Sequence, residues 1–280
     1  MMKLDSSLRT ASTVLVWTLA LGCGLFWTAT AVGGQTQTVL TQKQVPIKIT
    51  KSGSYVLGGN LKVTDPTVDA ILVTADNVTI DLAGFTIEGP PHGPTSSGSA
   101  IESVATWNVV VKNGMIRGFY EIEAACIHLT GHGNRVENVH VTECGWTAIY
   151  ADGVVTGCEV TNSVGGIGGG RGSVISDNML FAVGTGLHGS GDGGVTIARN
   201  TLTAANGLGL LCIYSEGANR IEDNTCSGYW YGLSLTGGTN LYSRNFIYGA
   251  EEPLVDGGPP NIDGGTIDPA LSNVIVSETP

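Results

Sequence analysis

A repeat of about twenty-two residues constrains this chain more than any other feature. An apolar or aromatic residue is followed three positions later by Asn, or once by Cys, at Val155/Cys158, Ile175/Asn178, Ile197/Asn200, Ile221/Asn224 and Tyr242/Asn245. Steps between the first members are 20, 22, 24 and 21 residues. Upstream, Val136, then Val110 with Asn113, then Thr79 with Leu82 extend the series to about eight turns of 19–26 residues. Each unit has a second half in which a small residue precedes alternating apolar ones: Cys126 and Ile127, Ala148 and Ile149, Gly166 and Ile167, Gly186 and Leu187, Gly232 and Leu233. A period of two within short runs means strand. A constant period of this length means that each unit stacks on the next. The spacing therefore predicts an all-β, right-handed parallel β-helix, a single-stranded solenoid with rungs about 4.8 Å apart. Asn113, Asn178, Asn200, Asn224 and Asn245 are expected to form one structural file. A side-chain amide can bond to its copy in the next rung, and Asn tolerates the left-handed backbone of tight corners.

Three segments carry a family likeness: I-T-x-x-G-x-Y-x-L-x-x-N-L at 49–61, N-V-T-I-D-L-x-G-F-T-I at 77–87, and the repeated N-R-V-E-N at 134–138 and N-R-I-E-D-N at 219–224. Over residues 47–250 the chain resembles the secreted right-handed parallel β-helix proteins of the pectin-lyase-like superfamily. That resemblance implies fold and export. It leaves activity open, since the fold hosts lyases, hydrolases, epimerases and adhesins.

Four segments follow. Residues 1–31 read as a signal peptide: Lys3 and Arg9 precede the apolar run 14–27, and Ala29, Thr30 and Ala31 fit a small-x-small cleavage site, giving a mature start near Val32. The run is short for a membrane span; an uncleaved anchor, or acylation at Cys23, are the minor alternatives. Residues 32–46 form a lead-in cap, 47–250 the β-helix, and 251–280 an irregular C-terminal cap or tail with Pro253, Pro259, Pro260 and Pro269. The proline-rich 89–99 segment must loop outward. No other segment is long or apolar enough to span a membrane. Cleavage leaves Cys126, Cys144, Cys158, Cys212 and Cys226, an odd number with no zinc spacing. Buried core thiols and one or two disulfides both fit.

The charge balance is 13 Lys and Arg against 24 Asp and Glu, a formal net charge of −11. That excludes a nucleic-acid partner, which needs clustered cations. Glycine, at 42 residues, is abundant without the three-residue period of collagen.

The chemistry that the resemblance implies can be tested residue by residue. A polygalacturonase-like hydrolase needs neighbouring carboxylates, in N-T-D and D-D motifs before G-H-G with R-I-K after it; only Gly131, His132 and Gly133 match, in a turn ahead of Asn134. The W-x-D-H and R-x-P-x-x-R patterns of pectate lyases are absent, and Asp65–Asp69 only superficially matches the D-P-H-D of alginate epimerases. Calcium could bind at rows of Asp or Glu, yet no spacing requires it. One constellation survives. With Ile127, Ile149, Ile167 and Leu187 facing inward, the residues that follow them face outward on one file: His128, Tyr150, Gly168, His188 and Ser234, with Tyr214 in the longer unit. His128, Tyr150 and His188 are the candidate catalytic residues, able to abstract and deliver a proton. Asp152, Asp192, Tyr214 and Glu216 beside them, and Trp230 in the Tyr229–Tyr231 aromatic cluster, are candidate substrate-binding residues. Scattered polar residues on a strand face would look the same. The expected function is an exported protein, periplasmic or extracellular, interacting with extracellular polysaccharide, as a lyase or hydrolase on an acidic glycan. The alternative is a non-catalytic surface, adhesion or structural module.

Overall fold

The computed structural model describes residues 36–276, apart from 91–97, 121–124, 192, 206–208, 258–260 and 268–271. The expected signal peptide and Cys23 lie outside the described residues. The rest is a right-handed parallel β-helix of about nine turns, one more than the spacing predicts. Strand pairing runs past both expected ends of the coil: Thr38–Leu40 pairs with Tyr55–Leu57, and Val274–Val276 pairs with Phe246–Tyr248. Helix among the described residues is limited to one 3-10 turn, Gln42–Gln44, and the four residues Gly264–Ile267. None is long and apolar enough to cross a membrane.

The coil has three faces, because each strand pairs with its equivalent one turn later and every pairing is parallel. Apolar side chains stack in register inside each face. On the first face Ile71, Ile101, Ile127, Ile149, Ile167, Leu187, Ile213 and Leu233 form one column. The second face contributes Val111, Val136, Val155, Ile175, Ile197 and Ile221. On the third, Ile87, Ile116, Val141, Val160, Leu180, Leu202, Cys226 and Ile247 line up. Each such side chain is at most 1% exposed, so the core is one continuous hydrophobic rod.

The Asn file is real but begins later than expected. From Asn178 onward, Oδ1 of each Asn accepts both the backbone N–H and the Nδ2–H of the Asn one turn earlier: Asn178 to Asn200 at 3.0 and 3.0 Å, Asn200 to Asn224 at 3.0 and 3.0 Å, Asn224 to Asn245 at 3.1 and 3.0 Å, and Asn245 to Asn273 at 2.9 and 3.0 Å. Asn113 is not a member. Val111, not Val110, pairs with Val136, which puts Asn113 at the preceding corner position with φ +60°. Asn138, Gly157, Asp177, Arg199, Asp223 and Arg244 share that left-handed corner backbone. There the side chains alternate in charge, and Arg199 clasps Asp177 with two contacts of 2.8 Å while Arg244 clasps Asp223 with two of 2.6 Å. A second ladder went unpredicted: Asn219 accepts from the Val195 N–H, Asn240 from Asn219, and Asn261 from Asn240, at 2.9, 3.2 and 2.8 Å.

The cysteines are divided. Cys126–Cys144 and Cys212–Cys226 are disulfides, each closing one turn of the coil, and Cys158 is a buried free thiol. Burial pushes the Cys158 thiol up to about 11, leaving it unreactive.

Candidate functional site

The first face does not alternate strictly. In each rung two successive residues, one small and one large, both turn inward: Ala148 with Ile149, Gly166 with Ile167, Gly186 with Leu187, Cys212 with Ile213 and Gly232 with Leu233. The inward step leaves two outward files with a trough between them. One file is Thr147, Gly165, Thr185, Leu211 and Tyr231. The other runs Glu102, His128, Tyr150, Gly168, His188, Tyr214 and Ser234, in the register that the sequence predicts. The small residues are obligatory: a Cβ on Gly166 would stand 2.1 Å from the Gly186 carbonyl oxygen, and one on Gly186 2.3 Å from that of Cys212.

The trough opens into a groove of about 580 Å³ along the rod, lined by Trp146, Tyr150, Gly168, His188, Leu211 and Tyr214 among others. Gly168 forms its floor beside Tyr150, whose ring a Cβ there would meet at 3.1 Å. On the other side His188 packs on Tyr214, ring centres 5.2 Å apart and tilted by 32°. Trp146, 59% exposed, forms the rim. Every floor strand is paired on both sides, so the groove presents side chains and no free backbone edge.

Two histidines on this file have opposite electrostatics. His128 Nδ1 contacts both carboxylate oxygens of Glu102, at 2.9 and 3.1 Å. That hydrogen bond raises the His128 pKa above the usual histidine value, against desolvation and with help from the charges of Glu102, Asp152 and Asp69. The imidazole also packs against Tyr150, centroids 5.4 Å apart with the rings tilted by 55°. Asp69 is shifted upward, chiefly by burial, and accepts the Ser99 N–H at 2.8 Å. His188 is shifted downward by burial, with the Glu216 charge opposing, and its buried Nε2 has no hydrogen-bond partner. The Glu102 pair thus favours a protonated His128 one rung outside the groove, and burial favours a neutral His188 within it.

The structure groups some of the expected site residues and separates others. Tyr150, His188 and Tyr214 line the groove; His128 adjoins it. Asp152 accepts the Gly131 N–H at 2.9 Å through Oδ2, and its Oδ1 and the Tyr150 hydroxyl both lie over Gly170, 1.9 and 3.1 Å from where a Cβ on that glycine would stand. Tyr214 Oη accepts from Thr236 at 3.1 Å. Glu216 is exposed at the end of its strand. Trp230 lies outside the lining, one rung beyond Leu210 at the same position, and Asp192 lies outside the described residues. The aromatic cluster lies on a strand: Tyr229 opens Tyr229–Thr236 and is buried, leaving Trp230 exposed. Sequence reasoning missed Glu102, although Ala100, Ile101 and Glu102 repeat the small–large–outward pattern of Cys126, Ile127 and His128. It also missed Trp146, Thr147 and Leu211, since strict alternation hides a second outward file. Among the described residues no three His, Cys, Asp or Glu side chains converge as metal ligands.

The family described as "Right handed beta helix region" matches residues 125–251. No curated protein matches the chain. A solved chain described as "The complex structure of XylC with xylose" is similar at 13% identity and a TM-score of 0.48. The match covers 69% of this chain and 38% of that one, so this chain spans well under half its length.

Proposed function

We propose that this protein is an exported polysaccharide-interacting β-helix and that the first-face groove seats the glycan lengthwise along the rod. The observation that carries this reading is the groove's build: aromatic rings of Tyr150 and Tyr214 stand either side of a glycine floor, with Trp146 at the rim. Sugar rings stack their C–H faces on such surfaces, while hydroxyls bond to the polar tips. A peptide is the poorer occupant, because it gains most from a free strand edge and the floor has none. Export is supported by the two disulfides, which persist in oxidising compartments.

The test is a glycan array followed by titration of the best ligand. Tyr150→Ala and Tyr214→Ala should each weaken binding about tenfold, the loss of roughly one good contact. Unchanged affinity in both variants would refute the groove as the site.

A second reading, cleavage of the bound glycan, is favoured by one observation. The Glu102–His128 pair lies one rung from the groove against Tyr150, and Glu102 favours the protonated form of His128. New reducing ends would report hydrolysis; ultraviolet absorbance of an unsaturated product would report elimination. Neither product from a glycan that binds would leave the protein a non-catalytic binding module.

A further inference from the structure

Charge is distributed unevenly around the coil. None of the groove-lining residues is Lys or Arg, and none is Asp or Glu. The Lys and Arg ion pairs lie on the other two faces and their corner: Lys62 and Arg117 with Glu88, Lys112 with Asp81, Arg135 with Glu137, Arg199 with Asp177, and Arg220 and Arg244 with Glu222. The first-face file carries Lys48 four rungs before Tyr150, about 19 Å away at the strand spacing. Arg171 sits in the turn after Gly170, outside the lining. Besides Arg171, the described charges flanking the groove are carboxylates: Asp69 and Glu102 around His128, Asp152 near Tyr150 at Gly170, and Glu216 near His188. The His128 imidazole among them is already held by Glu102.

From this distribution we infer that the groove is built for an uncharged glycan, about three sugar units long, and rejects polyuronates. The inference rests on the glycan reading above and gives it a substrate class, in place of the acidic glycan expected from the sequence. A uronate carboxylate lying between Tyr150 and Tyr214 would leave water without gaining a cation from the lining. Hydroxyls meet no such obstacle. Tyr150 to Tyr214 spans three rung steps, about 14 Å, which sets the length.

Matched ligands separate the two ideas. Neutral hexans of several linkages would be titrated beside the same polymers oxidised at C6 to polyuronates, with and without calcium, at low and moderate salt. The expected result is that a neutral polymer binds at least about tenfold tighter than its oxidised partner, with little salt dependence. Leu211→Lys, which places a cation on the groove wall, should shift preference toward the oxidised partner. If an oxidised partner binds the wild type as tightly as the neutral one, in either calcium condition, the charge inference falls and the glycan reading stands. If no polymer of either kind binds, the glycan reading falls and takes the inference with it.

Discussion

His128 and His188 stand three rungs apart on one file and should leave opposite marks on stability. Pairing with Glu102 raises the His128 pKa in the fold, so its contribution is complete below the ordinary histidine value near 6.5 and is lost as pH rises through the raised value. Urea unfolding of His128→Gln beside the wild type should therefore show a stability gap about 1 kcal/mol larger near pH 5.5 than near pH 9. A gap that is flat or grows with pH would mean the pair does not form. His188 is held neutral by burial, so its contribution is present above about 6.5 and fades as pH falls below it. Glycines divide just as clearly. Gly168→Ala brings a methyl to 3.1 Å from the Tyr150 ring, so it should weaken glycan binding and cost little stability. Gly166→Ala drives a methyl to 2.1 Å from a backbone oxygen and should lower stability by about 2 kcal/mol or more. Thermal melts with binding titrations on both variants check the pair. The outward file was legible because each of its residues follows an inward apolar one, so a single register fits every rung. Glu102 was overlooked only because its rung lies upstream of the regular repeat.

At the level of elements, the Asn ladder holds the corner between the second and third faces. Asn200, 1% exposed, gives its Nδ2–H to Ile175 O, Ala198 O and Asn224 Oδ1 and takes two N–H groups from Asn178. Asn200→Ala strands several buried groups and should cost about 3 kcal/mol, whereas exposed Asn113→Ala should cost under about 1. Similar losses at both sites in urea titrations would refute a ladder that starts at Asn178. The disulfides close loops of 18 and 14 residues. Reduction should remove about 3 kcal/mol for each, read as a fall in the urea midpoint with dithiothreitol. The ladder from Asn178 on was legible because its I-x-x-N spacing is constant and its column is chemically uniform. Upstream the corner slipped by one residue: Val110 and Val111 are both apolar, and Asn113 matches the file in type while occupying the left-handed position before it. The disulfide pairs depend on which small inward positions meet across a turn, and that geometry has no local sequence signal.

Across the whole molecule, the fold follows from the period and the site from a departure from it. Stacking makes every rung a neighbour of only two others, so side chains distant in sequence meet in columns. The Trp146 rim, the Gly168 floor and the Tyr214 wall come from three different turns. The paired inward residues that open the trough violate strict alternation, which is why the outward tyrosines and histidines were predicted and the facing wall was not. Cations cluster on the other faces and carboxylates flank the groove. The proposed glycan site rests on that shape, and its proposed preference for an uncharged chain on that charge. The most direct measurement is a crystal structure grown with the tightest-binding neutral oligosaccharide. The account predicts sugar rings lying along the rod over Gly168, stacked on Tyr150 and Tyr214. Sugar density on another face, such as the exposed Met179 and Phe181 patch, with the groove left to water, would contradict it.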